Sequence, residues 1–319
     1  MPLPRRSFKL SAKSLLQWGV VGGALFFLLK AFGDHWQEVA TIRIDAAGWV
    51  WVAIALLTTL GAHLWSGWVW SWILRELGHP VPGRWAMQVY LVTNIAKYLP
   101  GNVWHFYGRI TAAQARSIGV GVAILSVVLE ALLMAAAALM AAIVGLPRVG
   151  WLLQGLALAI ALLAIHPRLL NPVLSRLSRS KAKGVSSSLN APPAHSSRET
   201  ATPLALARYP LKPLLGELGF FALRSAGFLG IVAALHSLTL ANLLPVMGAF
   251  SIAWLLGLVI PGAPGGIGVF EATAIALLQP NLSPGIVLGA VAIYRLVSTA
   301  AEALGAAIGV AIRSRRTLG

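Results

Sequence analysis

The sequence contains no cysteine, and this absence excludes several kinds of site. Without cysteine there is no disulfide, no thiol nucleophile and no cysteine-ligated zinc. The seven histidines show no metal-ligand spacing, so we expect no metal site and no cofactor. No Ser-His-acid arrangement or Walker loop stands out either. The sequence therefore predicts a protein that is not an enzyme.

Charged residues are also scarce. They make up 11% of the 319 residues, while 58% are hydrophobic and the mean hydropathy is +0.78. Soluble domains are about 25% charged and about 45–50% apolar. In a bilayer, helices satisfy their own backbone hydrogen bonds within one segment. We therefore predict an all-α polytopic membrane protein.

The net charge of +16 comes from 25 Lys and Arg against 9 Asp and Glu. The cations gather in tails and loops, which indicates cytoplasmic segments near anionic lipid rather than a nucleic-acid surface. The N- and C-termini are therefore expected in the cytoplasm. The predicted organisation is a basic tail over 1–13, a first transmembrane half over 14–166, a basic flexible cytoplasmic loop over 167–212, a second transmembrane half over 213–312 and a basic tail over 313–319.

Two apolar stretches, 84–110 and 243–282, are interrupted by proline and glycine. Irregular backbone at bilayer depth is tolerated only where protein or a water-filled cavity surrounds it. We therefore predict two broken or re-entrant helix pairs. The residues expected to permit the breaks are Pro100, Gly101, Pro264, Gly265, Gly266 and Gly268.

The interrupted stretches occupy similar places in the two halves. For both the loop 167–212 and the C-terminal arginines to be cytoplasmic, the halves must have opposite orientation, as in inverted-repeat transporters. That interpretation leaves about six full transmembrane helices. A full crossing by 243–260 remains an alternative. The expected spans are 14–32, 47–74, 119–145, 149–166, 213–238 and 284–311.

Eight ionisable residues fall inside the apolar segments: Lys97, Arg109, Glu130, Glu217, Arg224, Glu271, Arg295 and Glu302. An isolated charge at the bilayer centre costs at least about 2.5–3.5 kcal/mol, so pairing or exposure to a cavity is expected. Glu217 lies seven residues before Arg224, on one helix face but two turns away. The same spacing separates Arg295 from Glu302. Pairs between the halves are therefore expected, for example Arg109 with Glu271.

These charges predict a hydrated binding site for a lipid headgroup. Arginine can hold a phosphate through two hydrogen bonds, and glutamate can accept an ammonium group. Helix N-termini near Gly265 and Gly266 would add backbone N–H groups. The alternative is a set of internal ion pairs that only fix helix packing. The expected substrate-binding residues are Arg109, Glu130, Arg224, Glu271, Arg295 and Glu302.

Two motifs resemble a known family. Residues 94–109, with Asn94, Tyr98, Pro100, Gly101 and Arg109, are followed by Glu130 and then by the stretch Pro264–Glu271. Together they resemble the lysylphosphatidylglycerol synthase transmembrane-region family, which includes the flippase half of the multiple-peptide-resistance factor. The resemblance implies a multi-pass protein of the plasma (inner) membrane that handles lipids such as aminoacylated phosphatidylglycerol.

The chain departs from the family pattern in two respects. It has no soluble domain that would use aminoacyl-tRNA, so the resemblance does not imply synthase activity. Phe270 stands where many members have a basic residue before the glutamate. This second departure affects the headgroup that the site would prefer.

Together these observations predict a lipid translocator that handles an anionic or aminoacylated phospholipid, or another lipid-linked headgroup. The alternative is a non-transporting membrane partner that presents a lipid-linked substrate to a glycosyltransferase or a lipid-modifying enzyme. In that case the basic loop 167–212 would be its docking site. Membrane lipids are the expected partners, with a homodimer or a membrane enzyme as a further possibility and no role for nucleic acid.

Overall fold

The computed structural model describes residues 33, 36–41, 43–99, 103–146, 150–172, 206–260, 266–280 and 282–317. Within these ranges the regular secondary structure is helical and no strand occurs. The first predicted span, 14–32, and most of the loop 167–212 lie outside the described residues. So do four of the predicted helix-break residues: Pro100, Gly101, Pro264 and Gly265.

The helices are numbered α1 to α10 in chain order. Their bounds are α1 Trp36–Thr41, α2 Ala46–Glu76, α3 Gly83–Asn94, α4 Trp104–Gln114, α5 Val120–Gly145, α6 Trp151–Ile165, α7 Leu211–Leu235, α8 Leu240–Val259, α9 Val269–Leu278 and α10 Pro284–Thr317. A short 3₁₀ helix, Ile95–Tyr98, extends α3.

Five helices within the described ranges are long and apolar enough to cross a membrane. They are α2, α5, α7, α8 and the Pro284–Ile312 part of α10. At 1.5 Å per residue the 20 residues of α8 extend about 30 Å, the thickness of the hydrocarbon core. The predicted span 149–166 contains α6, which has only 15 residues because Gly150 starts it in a left-handed conformation and the backbone turns extended at His166. The chain is therefore a multi-pass membrane protein.

Helices α2 and α7 form the central contact of the fold, and they run antiparallel. Gly48 near the start of α2 approaches the carbonyl of Ala234 near the end of α7. At the opposite ends, the indole N–H of Trp65 donates to the Gly216 carbonyl at 2.7 Å. Glycine permits this spacing because small residues let membrane helices approach closely.

The remaining helices pack around this centre in matching pairs. Helix α3 packs against α10, and α8 packs against α5. The contact of α2 with α10 corresponds to the contact of α7 with α5. The contact of α4 with α5 corresponds to the contact of α9 with α10. These contacts of the first half thus have counterparts in the second, whereas the contact of α5 with α6 has none among the described helices. The two halves consequently enclose a common centre.

Described helices end before both predicted interruptions and begin again after them. The 3₁₀ helix ends at Tyr98 and α4 begins at Trp104, while α8 ends at Val259 and α9 begins at Val269. Glycine is required in the second gap for two reasons. Gly266 and Gly268 have φ angles of +71° and +86°, which side chains rarely adopt. A Cβ at Gly266 would also lie 3.0 Å from the Cα of Gly257.

The close contact between α2 and α7 leads to a stability prediction. A Cβ at Gly227 would lie 2.8 Å from the Thr59 hydroxyl, so Gly227→Leu should overpack this contact and lower the unfolding free energy by about 1–3 kcal/mol. Thermal unfolding in detergent measures the effect. Gly61→Leu on α2 is the matched control, because a Cβ there would meet no atom within 4 Å. An equal loss of unfolding free energy in the two variants would contradict the close contact between α2 and α7.

Candidate functional site

A cavity of about 100 Å³ lies where the two halves meet. It has room for a few water molecules. The polar and charged side chains that line it are His63, Asn94, Lys97, His105, Arg109, Glu130, Arg224 and Arg295. Four of the six predicted binding residues therefore line one cavity, and the other two, Glu271 and Glu302, are bonded to residues in its wall.

The cavity lies level with the middle of three helices that are long enough to cross a membrane. His63, Glu130 and Arg224 each lie near the middle of a helix long enough to cross a bilayer, on α2, α5 and α7 respectively. The ends of interrupted elements contribute as well, since Lys97 comes from the 3₁₀ helix and Gly266 from the turn before α9. Helix ends and charged side chains thus meet at one place.

Three ion pairs surround the cavity, and each joins different elements. Arg109 on α4 pairs with Glu130 on α5. Arg295 on α10 pairs with Glu271 on α9. The prediction that Arg109 would pair with Glu271 is therefore wrong. The reason is that α4 packs on α5 and α9 packs on α10, so each arginine reaches an acid of its own half first.

The third pair connects the two halves. Lys97 Nζ lies 2.6 Å from Glu302 Oε1, and His63 Nε2 contacts the same oxygen at 3.3 Å. The sequence predicts Lys97 as a buried cation but does not place it among the predicted binding residues. The available signal was its position directly before a predicted helix break. His63 carried no comparable signal, because a lone histidine in an apolar helix has many possible roles.

Arg224 differs from the other cations of the cavity. Only 5% of the residue is exposed, its Nη1 donates to Ser298 Oγ at 2.9 Å, and its guanidinium lies 5.3 Å from the ring centre of Tyr294. Among the described residues no carboxylate comes within ion-pair distance of it, and its Nε–H has no hydrogen-bond acceptor. It is thus a buried cation at the cavity wall with an unused donor.

Glu271 also holds the turn before α9. Its Oε2 accepts a hydrogen bond from the Gly268 N–H at 2.6 Å, while its Oε1 binds Arg295. Arg295 in turn donates from Nη2 to the Gly266 carbonyl at 3.0 Å. The Gly268 N–H, which belongs to the helix end expected to bind an anion, is therefore already occupied by Glu271.

A comparison with protein families gives a match over most of the chain. The family described as "Lysylphosphatidylglycerol synthase TM region" matches residues 14–305. The chain belongs to this family. No synthase domain is detected in it. A comparison with curated proteins gives no match.

Phe270, the position at which many members of this family carry a basic residue, belongs to an aromatic cluster. Its ring stacks on Tyr294 and meets Phe228 and Phe250 edge to face, with ring centres 5.8–6.2 Å apart. The Arg295 guanidinium lies 5.0 Å from the ring centre of Phe270. A cation thus does lie beside Glu271 in this chain, and it comes from α10.

The buried pair of Arg109 and Glu130 predicts strong coupling in a double-mutant cycle. Glu130→Gln should lower the unfolding free energy by about 3–5 kcal/mol, because it leaves the Arg109 charge buried without its acid. Adding Arg109→Gln should recover much of that loss. Thermal unfolding in detergent gives the unfolding free energies of the wild type, the two single variants and the double variant.

A matched cycle on Arg208 and Glu76 is the control. Arg208 is 77% exposed in its side chain, and its two hydrogen bonds to Glu76 raise its pKa above the ordinary value. Water screens such a pair, so its coupling should be close to zero. Additive losses in the cycle of Arg109 and Glu130 would contradict the buried ion pair.

Proposed function

We propose that this protein moves an anionic or aminoacylated phospholipid, or another lipid-linked headgroup, across the membrane through the cavity. The observation that carries the proposal is Arg224, a buried cation at the cavity wall without an acidic partner among the described residues. A lipid phosphate supplies the missing negative charge. Arginine suits it because a guanidinium can donate two parallel hydrogen bonds to phosphate oxygens.

The three ion pairs have a second role in this proposal. Arg109 and Arg295 can share a passing phosphate with Arg224, while Glu130, Glu271 and Glu302 balance them or accept a cationic headgroup. Each arginine and its acid line or adjoin the same cavity, so exchange of partners needs only short movements of side chains. This gives a headgroup a polar path through the apolar interior.

The packing supports an inverted repeat as the frame for transport. Helices α2 and α7 are the first long described helices of the two halves, and they are antiparallel. The matching helix contacts of the two halves support the same relation. Corresponding places also carry opposite charges. In the first half the short helix α4 holds the arginine and α5 the acid, whereas in the second half α9 holds the acid and α10 the arginine.

We assign α3 with α4, and α8 with α9, to the two broken elements of this repeat. Movement of one half against the other around the cavity would then open it alternately to each side. Because α8 is long enough to cross the bilayer, a full crossing remains the alternative for this element. The distribution of cations supports cytoplasmic termini, and the family supports a place in the inner membrane.

The second candidate is the non-transporting membrane partner. The observation that favours it is the ion pairing within the site. Glu130, Glu271 and Glu302 each form an ion pair with a cation of the protein itself. Ion pairs of this kind also fix helix packing without any ligand. The basic loop 167–212 would then contact the partner enzyme.

Reconstitution in liposomes tests the translocator. The purified protein should speed the transfer of labelled phosphatidylglycerol between leaflets, and Arg224→Gln should slow it about 10- to 100-fold. That range corresponds to the loss of a hydrogen bond to a charged group, about 1.5–3 kcal/mol. Arg208→Gln is the control, because it removes an exposed arginine away from the cavity. Folded wild-type protein that moves no lipid above protein-free vesicles would favour the membrane partner instead.

Glu271 provides a separate prediction. Glu271→Gln keeps an oxygen for the Gly268 N–H but loses the charge that holds Arg295. The protein should still fold, while lipid transfer should fall at least about tenfold, equivalent to about 1.4 kcal/mol in the barrier. Thermal unfolding and the liposome assay measure the two effects on one preparation. If Glu271→Gln fails to fold, the ion pair has a packing role and the membrane partner gains support.

A further inference from the structure

Glu217 on α7 is a buried acid that none of the ion pairs uses. It is 0% exposed, and neither of its carboxyl oxygens has a hydrogen-bond donor among the described residues. An ionised carboxylate in an apolar interior without donors is far costlier than the neutral acid. Burial and missing donors therefore favour a carboxyl group that carries a proton as long as no cation of the cavity pairs with it.

The position of Glu217 connects it with the cavity. Phe220 and Arg224, three and seven residues further along α7, line the cavity, so Glu217 lies on the same helix face. The hydrogen bond from Trp65 on α2 goes to the carbonyl of Gly216 and leaves the carboxyl group of Glu217 without it.

Three charged or titratable groups face Glu217 from the neighbouring elements. They are Arg109 on α4, Glu130 on α5 and Tyr90 on α3. Arg109 is already paired with Glu130, and the hydroxyl group of Tyr90 accepts a hydrogen bond from Ser66 at 3.0 Å. An ionised Glu217 would thus compete with Glu130 for Arg109.

The charge balance of the cavity depends on this one proton. The cations are Lys97, Arg109, Arg224 and Arg295, and their acids are Glu130, Glu271 and Glu302. With Glu217 neutral, one positive charge is in excess, and a lipid phosphate with one negative charge balances it. With Glu217 ionised, the cavity is already balanced, and a phosphate would add repulsion at short range in a medium of low dielectric constant.

We propose that Glu217 is a proton-carrying site and that the protein moves one proton together with each anionic lipid. The inference rests on the proposed function. When the cavity opens to one side, water reaches the carboxyl group, and its O–H bond forms or breaks by exchange with that solution. The protonated acid accompanies the bound phosphate, and the proton leaves on the other side with the lipid. The empty cavity then returns with Glu217 ionised and balanced by the cation that the phosphate has left.

This coupling sets an upper limit on the ratio of lipid between the two leaflets. One proton and one lipid phosphate carry no net charge together, so the movement should not respond to the membrane potential. A pH gradient of one unit can support at most a tenfold ratio of lipid between the leaflets, because a tenfold ratio and one pH unit are the same free energy. Lipid should accumulate in the leaflet that faces the alkaline solution.

The test uses liposomes that contain the full-length protein and labelled phosphatidylglycerol, with an imposed pH gradient of one unit. The wild type should approach the tenfold ratio, corrected for protein-free vesicles, with or without a potassium diffusion potential. Glu217→Gln should move lipid but leave the leaflets equal at every gradient, whereas Glu217→Asp should retain accumulation. Glu76→Gln, which removes an acid away from the cavity, is the matched control and should also retain it.

The outcomes separate this inference from the proposed function. Lipid movement by the wild type that ends in equal leaflets under the gradient would overturn proton coupling and leave the translocator intact. Accumulation by Glu217→Gln would do the same. Absence of any movement by the wild type would overturn both. The wild type alone shows whether a pH gradient drives lipid accumulation. Proton coupling can therefore be tested even if Glu217→Gln does not fold.

Discussion

The structure depends on the cost of charge in an apolar interior. Water cannot solvate a guanidinium or carboxylate at the bilayer centre, so each must find an opposite charge, a hydrogen-bond acceptor or a cavity. In this protein the need is met by connecting elements that are separate in the chain. Arg109 ties α4 to α5, Arg295 ties the turn before α9 to α10, and Lys97 ties one half to the other through Glu302. The same pairs that close the interior also form the wall of its polar cavity.

Hydropathy and the positions of the charged residues were sufficient to predict the helical class and the burial of charges in apolar segments, because these are local properties of the chain. The ion pairing was not predictable in this way. Arg109 was assigned to Glu271 across the halves, whereas it binds Glu130 on the helix against which its own short helix packs. That choice depends on which helices touch, and no single-sequence periodicity contains it. The cap that Glu271 places on Gly268 was missed for the same reason, since it requires the positive φ of the glycine turn.

A proton-carrying acid and an arginine without an acid complement each other in the proposed cycle. Arg224 gives the cavity its affinity for phosphate, while Glu217 decides whether that affinity is available. Neither residue completes an ion pair among the described residues, and both lie on α7, the helix that forms the central antiparallel contact with α2. Both groups of the proposed cycle would thus be carried by one helix at the centre of the fold.

The contact of Lys97 with Glu302 has a consequence for how the sequence can change over generations. One carboxylate oxygen receives both Lys97 from the first half and His63 from α2, and Ser298 links it toward Arg224. A substitution of Glu302 would leave Lys97, His63 and Ser298 without this carboxylate at the same time. We therefore expect such a substitution to be tolerated only together with changes elsewhere in the chain. The two halves therefore cannot be exchanged freely between relatives. A chimera of two family members would need matched side chains at positions 97 and 302 to assemble a closed interior.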